Sequence, residues 1–344
     1  MAQNAFLDGE SLITPRDFRR AAAKISADPA QLSIAKAELA LNLELSIRQF
    51  RSGVVPAQIV KRLAASLHDI KRDFHPAVWD EIVPIAQSHP VAQYLHQDPL
   101  TRWSFEKPRG YSGDAHLLDF IYGRPEVEHA VATSSDLGRA IYGHTKDASS
   151  SVAVRERRDI IARRVDEIAA NHDGPIEVLS IASGHLREAM MSQALGAGAI
   201  TRWVALDQDP LSVGTVTRDF VGTSVDAVNG SVKSLLAGRH SLGTFDFIYA
   251  AGLYDYLPDP VAIRLTKKTV GMLRPGGTFL FANFSTSTDV DGYMETFMNW
   301  SLLLRSEHEM RMIANQSSVG YDVNVSVWLG SNPSIVYCEI ERQL

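Results

Sequence analysis

The sequence is poor in cysteine, since Cys338 is the only one among 344 residues. A single cysteine excludes an intrachain disulfide framework and a cluster of thiolate metal ligands, and it fits a reducing compartment. The first residues show no basic stretch followed by an apolar core. Nowhere does the chain approach the roughly 20 consecutive apolar residues that a membrane-spanning helix needs. We therefore expect a cytoplasmic protein without a membrane span.

An excess of basic charge is also missing. The sequence has 34 lysines and arginines against 40 aspartates and glutamates, which gives a net charge of -6. No basic block could follow a phosphate backbone, so we expect no nucleic-acid partner. Histidine spacings typical of metal sites are absent, so we expect no metal. A small-molecule partner is the remaining expectation, and whether the chain forms a homodimer is left open.

With 45% hydrophobic residues, the chain can bury a large core and is long enough for two domains. The first half has a helical pattern, in which Thr14 and Asp28, each followed by proline, mark helix starts. A break near Ser149 to Pro175 predicts the domain boundary. We expect a helical domain over residues 1–150, acting in substrate binding or as a lid, and a second domain over residues 151–344.

The second half alternates short apolar runs with helix-compatible segments. The runs are Ile176 to Gly184, Trp203 to Asp209, Phe245 to Gly252 and Leu273 to Phe284. This alternation predicts a parallel sheet covered by helices. A helical insertion, Asp289 to Gln316, and two strand-like runs, Tyr321 to Gly330 and Ser334 to Gln343, follow. The predicted fold class is α/β: a Rossmann-like sheet with a terminal antiparallel hairpin, preceded by an all-helical N-terminal domain.

Ligands of such a sheet bind beyond the carboxyl ends of the strands, where the strand order reverses. Ala182, Ser183 and Gly184 follow the first strand, and Gly184 lets the backbone approach a ligand closely. Taken alone, this turn is equally typical of an ordinary strand-to-helix connection. Asp207 ends the second strand, where a carboxylate can accept both hydroxyl hydrogens of a ribose. Asp209, which precedes a proline, is interpreted as a helix cap.

A second polar motif, KPRGYSGD (Lys107 to Asp114), lies outside the predicted sheet. Arg109 could form a bidentate pair with a substrate carboxylate, and Tyr111 could donate or accept at the reacting group. Asp114 would serve equally well as a helix N-cap. His144 is a histidine expected near the cleft, and Trp300 could line an apolar channel, although core packing is the more common role of such an aromatic.

These features together carry a family resemblance. The sheet order, Asp207, the loop Leu253 to Leu257 and the LRPGG turn resemble class I S-adenosylmethionine-dependent methyltransferases over Ser151 to Leu344. The segments KPRGYSGD, SVAVRERRD and NWSLLLRS are similar to a bacterial group often described as 3-hydroxypalmitic acid methyl ester biosynthesis proteins. The resemblance implies S-adenosylmethionine as cofactor and in-line methyl transfer without a covalent enzyme intermediate.

The resemblance also implies roles for individual residues. Cofactor binding is expected at Ala182, Ser183, Gly184, Asp207, Gly230, Ser231 and Ala250. A catalytic role is expected at Tyr111, Tyr254 and Asp255. Substrate binding is expected at Arg109, Tyr111, His144, Trp300 and Arg305. Many relatives carry an acid where Ser231 stands, so adenine recognition there is left open.

The expected acceptor is a carboxylate of a hydroxy fatty acid or a similar metabolite, which is ionised at neutral pH and needs no general base. N-methylation would require one, whereas S-methylation of an amino-acid-like substrate would not. A cofactor-binding regulator without catalysis is a second hypothesis. A nicotinamide oxidoreductase is a third, and the missing GxGxxG and the terminal hairpin argue against it.

Overall fold

The computed structural model describes residues 26–344, so the helix predicted to start at Thr14 lies outside the described residues. The described chain forms two compact units. One is an α/β unit made of Ala153–Ser287 and Leu303–Leu344. The other is a helical unit made of residues 26–152 and Thr288–Leu302.

The secondary structure alternates as follows. The helices up to residue 170 are α1 Pro29–Arg51, α2 Pro56–Asp73, α3 Pro76–Ser88, α4 Ala92–Leu95, α5 Pro99–Glu106, α6 Ala115–Tyr122, α7 Pro125–Ala132, α8 Asp136–Thr145 and α9 Ser149–Ala170. The later helices are α10 Gln193–Gly196, α11 Pro210–Asp219, α12 Val232–Leu236, α13 Asp259–Val270, α14 Asp291–Thr296 and α15 Glu307–Ser317. The strands are β1 Ile176–Ile181, β2 Ile200–Asp207, β3 Val225–Asn229, β4 Phe245–Ala250, β5 Leu273–Phe284, β6 Val323–Leu329 and β7 Ile335–Arg342.

Local sequence explains where several helices of the helical unit begin. Asp28 accepts a hydrogen bond from the Ala30 amide at 3.2 Å, and a proline occupies the first turn of α1. Asp114 caps α6 by accepting from the amides of His116 and Leu117 at 2.9 and 3.0 Å. Each carboxylate satisfies backbone donors that the first helical turn leaves unpaired. No helix within residues 26–344 combines the length and the apolar character needed to cross a membrane.

The segment predicted as one helical insertion is divided in the structure. Its first part, α14, belongs to the helical unit, and its last part, α15, belongs to the α/β unit, with non-helical residues between them. An ion pair and a hydrogen bond hold α14 in place: Lys71 lies 2.5 Å from Asp291, and the Trp79 indole donates to Glu295 at 2.6 Å. The apolar pattern alone predicted one continuous helical insertion. The structure instead has two separate helices, and these polar contacts bind the first of them.

The α/β unit contains a seven-stranded sheet in the order β3-β2-β1-β4-β5-β7-β6. Strands β1 to β5 are parallel, and β7 pairs antiparallel with both β5 and β6. The predicted Rossmann-like sheet with a terminal antiparallel hairpin is therefore confirmed. The hairpin folds back so that β7, rather than β6, contacts β5.

One face of this sheet forms a continuous apolar core. Leu206, Ile248 and Phe279 are buried there together with Leu265 of α13 and Ile313 of α15. Because successive side chains of a strand point to opposite faces, these alternate positions can all turn toward the helices. The core fixes the strands, and their carboxyl ends then present the loops that carry the candidate site.

Two glycines of α8 offer a direct test of packing in the helical unit. An added Cβ at Gly138 would lie 2.2 Å from the backbone oxygen of Gln97, whereas at Gly143 it would meet nothing within 4 Å. We expect Gly138→Ala to destabilise the protein by about 1–3 kcal/mol or more through overpacking. Gly143→Ala should be neutral or stabilise the protein by up to about 1 kcal/mol through helix propensity. Thermal unfolding followed by circular dichroism measures both, and equal melting temperatures would contradict this packing.

Candidate active site

The loop after β1 has an unusual backbone. Ala182, Gly184 and Leu186 all have positive φ values, of 56°, 56° and 52°. A left-handed conformation costs a non-glycine residue about 1–2 kcal/mol, so Ala182 and Leu186 are held there by their surroundings. The Ser183 amide donates to the carbonyl of Leu206 at 3.1 Å, which ties the loop to the end of β2. Strain concentrated in one loop is typical of a ligand-binding segment.

Asp207 and Gly184, both predicted to bind the cofactor, are brought together. Asp207 accepts the Gly184 amide at 2.7 Å through one carboxylate oxygen and the Asp209 amide at 2.8 Å through the other. Burial raises the pKa of Asp207, while the two amide hydrogen bonds oppose that shift. A carboxylate has about four acceptor positions. The amides therefore orient this group and leave it with capacity for further hydrogen bonds.

Asp209 is a helix cap, as predicted. Its carboxylate accepts from the Leu211 amide at 2.9 Å and from the Ser212 hydroxyl at 3.0 Å. The two neighbouring acids thus have separate tasks. Asp209 begins α11, and Asp207 faces the loop after β1.

Gly230 and Ser231 each have a structural task in the turn after β3. Gly230 donates its amide to the Asp207 carbonyl at 2.9 Å, and an added Cβ would lie 2.6 Å from both His240 and Leu206. Ser231 forms a capping box with Ser234 at the start of α12. These contacts place the turn beside the end of β2. Its part in cofactor binding stays a prediction.

Ala250, the last residue of β4, and Tyr254, in the loop that follows, are both buried in the core. The Tyr254 hydroxyl lies 2.7 Å from the Thr266 hydroxyl, and its ring stacks on Phe281 with centroids 4.3 Å apart. Burial raises the pKa of Tyr254. The sequence predicted a catalytic Tyr254, but a fully buried phenol with a hydroxyl partner serves packing, so we leave it out of the catalytic group.

Asp255 is buried but only partly engaged. One carboxylate oxygen accepts the Phe284 amide at 2.6 Å, and the other lies 3.8 Å from Arg157 Nη1. Burial raises the pKa of Asp255 to about 6, although the charge of Arg157 opposes the shift. Asp255 thus forms one hydrogen bond and one longer ion pair at the carboxyl edge of the sheet.

Arg305 was expected to bind substrate, and the structure gives it another task. It donates to the carbonyl of Tyr254 and to Asn283 Oδ1, both at 2.7 Å, and also to the carbonyl of Leu257. It further pairs with Asp259 at 2.8 Å. With 3% of its surface exposed, Arg305 fastens the loop after β4 to β5. Asp259 was expected to cap α13, but it is the first residue of that helix and pairs with Arg305 instead.

Several polar residues of the site were not predicted. Arg157 of α9 is 3% exposed, and its Nη1 has no hydrogen-bond partner among the described residues. The Tyr249 hydroxyl donates to Glu188 at 2.5 Å. Burial raises the pKa of Glu188 and of Tyr249. An added Cβ at Gly252, in the loop after β4, would lie 3.2 Å from Arg157 Nη2. The Tyr337 hydroxyl on β7 is likewise buried without a hydrogen-bond partner in the described chain. The only sequence signal was the arginine-rich SVAVRERRD, which does not show which arginine faces the sheet.

The remaining predicted site residues lie in the helical unit. Arg109 Nε is 3.8 Å from Asp114, and Tyr111 is half-buried in the same loop. Burial lowers the pKa of His144 on α8. Trp300 is buried, and its amide donates to the Met294 carbonyl at 2.7 Å. Their roles in substrate binding and the catalytic role of Tyr111 stay predictions, and the burial of Trp300 favours core packing.

Comparison with known proteins extends these observations. No protein-family model matches the sequence, and no curated protein sequence matches it. Among solved structures, a possible exported protein from Bordetella parapertussis is similar, with 16% identity and a TM-score of 0.58 over 92% of this chain and 99% of that one. The S-adenosylmethionine-dependent methyltransferase SibL has 15% identity and a TM-score of 0.47 over 86% of this chain and 77% of that one. An O-methyltransferase family protein from Burkholderia thailandensis has 13% identity and a TM-score of 0.42 over 67% and 70%.

The first of these similarities covers nearly all of both chains, and at this level of identity it shows a shared fold alone. The sheet order and the antiparallel β7 define that fold in the α/β unit as the Rossmann-like fold of class I methyltransferases. A fold does not determine a function, which depends on the residues of the site.

Removing the Arg305 side chain should show how strongly it holds the site loop. We expect Arg305→Ala to destabilise the protein by about 3–5 kcal/mol, because two backbone carbonyls and the Asn283 Oδ1 lose their donor, at about 1–3 kcal/mol for each buried acceptor left unsatisfied. Arg311→Ala is a matched control, since Arg311 is exposed and donates only to the Val325 carbonyl, at 3.3 Å. Urea unfolding measures both variants. Equal stabilities would show that Arg305 does not fasten this loop.

Proposed function

We propose that this protein is an S-adenosylmethionine-dependent methyltransferase that acts on a small molecule. One observation carries the proposal: the Asp207 carboxylate and the strained loop after β1 meet at the carboxyl ends of adjacent parallel strands. A doubly wound sheet binds the ribose of a nucleoside cofactor at this place. We assign the reaction to the α/β unit, and we retain substrate binding or lid closure as the proposed role of the helical unit.

The residues present fit such a cofactor. Asp207 is already oriented by two amides and can accept ribose hydroxyls through its remaining positions. The Ser183 hydroxyl is buried with no hydrogen-bond partner among the described residues, so a polar ligand group could satisfy it. Gly184 adds no side chain that would block the approach. Together these groups suit the binding of a nucleoside. An ordinary strand-to-helix turn would not require them.

The chemistry asks little of the protein beyond positioning. When bound, S-adenosylmethionine would supply a methyl group on a sulfonium, which a nucleophile can accept in line. The chain's own residues would orient the reactants and exclude water. Arg305 and Asp255 support this task, because both fix the loop after β4 to β5.

The proposed acceptor is a carboxylate of a hydroxy fatty acid or a similar metabolite. A carboxylate is ionised at neutral pH, so transfer to it needs no proton removal. The acid beside the loop after β4, Asp255, binds a backbone amide and faces Arg157, which suits a structural or electrostatic role. The similarity of KPRGYSGD and NWSLLLRS to the fatty-acid methyl ester group supports this substrate class. Methylation at nitrogen or sulfur of an amino-acid-like substrate is the alternative.

A transfer assay tests the function. Purified protein is incubated with methyl-labelled S-adenosylmethionine and, in parallel, with long-chain 3-hydroxy fatty acids or a panel of amino acids. We expect labelled methyl ester from the fatty acids, identified by mass spectrometry and lost on alkaline hydrolysis. Label in an amino acid would establish the alternative. Tight binding of S-adenosylhomocysteine without any product would instead favour a regulator.

Substitution of Asp207 tests the cofactor site separately. We expect Asp207→Ala to weaken S-adenosylhomocysteine binding by about 10- to 100-fold, because it removes charge-assisted hydrogen bonds worth about 1.5–3 kcal/mol. Asp209→Ser retains a helix cap and serves as the control, with affinity close to that of the wild type. Isothermal titration calorimetry measures both. An unchanged affinity in Asp207→Ala would refute the ribose assignment.

A further inference from the structure

The helix α1 is apolar on two opposite faces. Its inner face packs against α2 and α3 and buries four apolar residues: Ala35, Leu39, Leu43 and Ile47. The opposite face carries a second apolar row, which we call the outer stripe: Ala30, Ile34, Ala37, Leu41 and Leu45. A helix on the surface of a protein normally has one apolar stripe, turned toward the core. The packing of the helical unit therefore leaves the outer stripe unexplained.

The large side chains of the outer stripe are exposed. Ile34 is 54% exposed, Leu41 is 69% exposed, and Leu45 at the end of the stripe is 39% exposed. Successive members of the stripe are three or four residues apart, so they form one continuous row about 22 Å long. A contiguous exposed apolar row of this kind marks an interaction surface, whereas scattered apolar residues do not.

The outer stripe alternates small and large side chains, in the order Ala30, Ile34, Ala37, Leu41. In an antiparallel pair of α1 helices related by a two-fold axis, Ile34 of one copy can face Ala37 of the other, and Leu41 can then face Ala30. Each large side chain lies opposite a small one, so the two helices can approach closely and interdigitate. A parallel pair would set large residues against large ones. The stripe therefore fits its own inverted copy.

The charges beside the outer stripe are compatible with this arrangement. Between Ala30 and Leu41, the charged residues are Lys36 and Glu38. Lys36 lies about 140° around the helix from Leu41, away from the stripe. In the antiparallel pair, Glu38 of one copy lies near Gln31 of the other, so a carboxylate meets an amide that can donate to it. No like charges face each other across the paired residues.

We infer that the outer stripe of α1 is the interface of a homodimer, in which two α1 helices pack antiparallel around a two-fold axis. The same face serves both copies, as an isologous interface requires. The occupant is a second copy of this chain, because the alternation of small and large residues complements itself. A single pair of helices buries less area than a permanent dimer does, so association depends on concentration, with a dissociation constant of about 1–100 µM.

Sedimentation equilibrium of the full chain tests the dimer. We expect the mass of the wild type to rise toward twice that of one chain as the concentration passes the dissociation constant. Leu41→Glu should weaken association by about 100-fold or more, because the dimer would bury an unpaired carboxylate. Val221→Glu is the control, since Val221 is an apolar residue of the α/β unit that is 79% exposed. It should associate like the wild type, and both variants should keep the wild-type melting temperature as monomers.

Cross-linking through one introduced cysteine tests the register, because the native Cys338 is buried. The two copies of Ala37 would lie about 4.5 Å apart along the helix axis, and the two copies of Ala40 about 13.5 Å apart. A short bismaleimide should therefore link Ala37→Cys into a dimer. Ala40→Cys, which is exposed on the same helix, is the matched control and should link much more slowly.

Each result supports or overturns the interface. Association lost in Leu41→Glu and kept in Val221→Glu, with rapid linking at residue 37, supports it. A wild type that stays monomeric at about 500 µM, or a dimer that survives Leu41→Glu, overturns it. Equal linking of the two cysteine variants overturns the antiparallel register. A monomer in which Ala37→Cys reacts slowly with a maleimide at every concentration would assign the stripe to residues 1–25 of the same chain, and one in which it reacts rapidly would leave the stripe to another protein. Both overturn the homodimer.

Discussion

The reversal of strand order between β1 and β4 is the constraint on which the candidate site depends. The chain leaves β1 toward β2 on one side, and β4 lies on the other, so the loops beyond these strands diverge. The strained turn at Ala182 and Gly184, the carboxylate of Asp207 and the acid of Asp255 all lie at or just beyond the carboxyl ends of the strands at this point.

Two arginines show how the same degree of burial can accompany different hydrogen bonding. Arg305 and Arg157 each expose 3% of their surface. Arg305 donates to Asn283 Oδ1 and to two carbonyls and pairs with Asp259, so its charge is satisfied within the chain. Arg157 retains a donor without a partner in the described residues. The hydrogen-bond partners, rather than burial, therefore distinguish a residue that fastens two elements from one whose guanidinium is only partly satisfied.

The strands and the acid at the end of β2 could be predicted because their signals are local: apolar runs, turn residues and the position of an acid just after a strand. The internal partners of Arg305 and Tyr254, Asn283 and Thr266, could not be foreseen because they come from other elements of the fold. Arg157 was missed because the rotation of α9 on the sheet decides which arginine turns inward. The apolar pattern of the insertion could not show that it divides between two units.

The close contact between Gly252 and Arg157 has an evolutionary consequence. A side chain at residue 252 would press on the guanidinium, so a larger residue there is accommodated more easily once residue 157 is smaller. Substitution at residue 252 should therefore follow a change at residue 157. Chains that descend from the same ancestor should inherit arginine and glycine here as a couple, or exchange both together, so covariation between two distant alignment columns would record this contact.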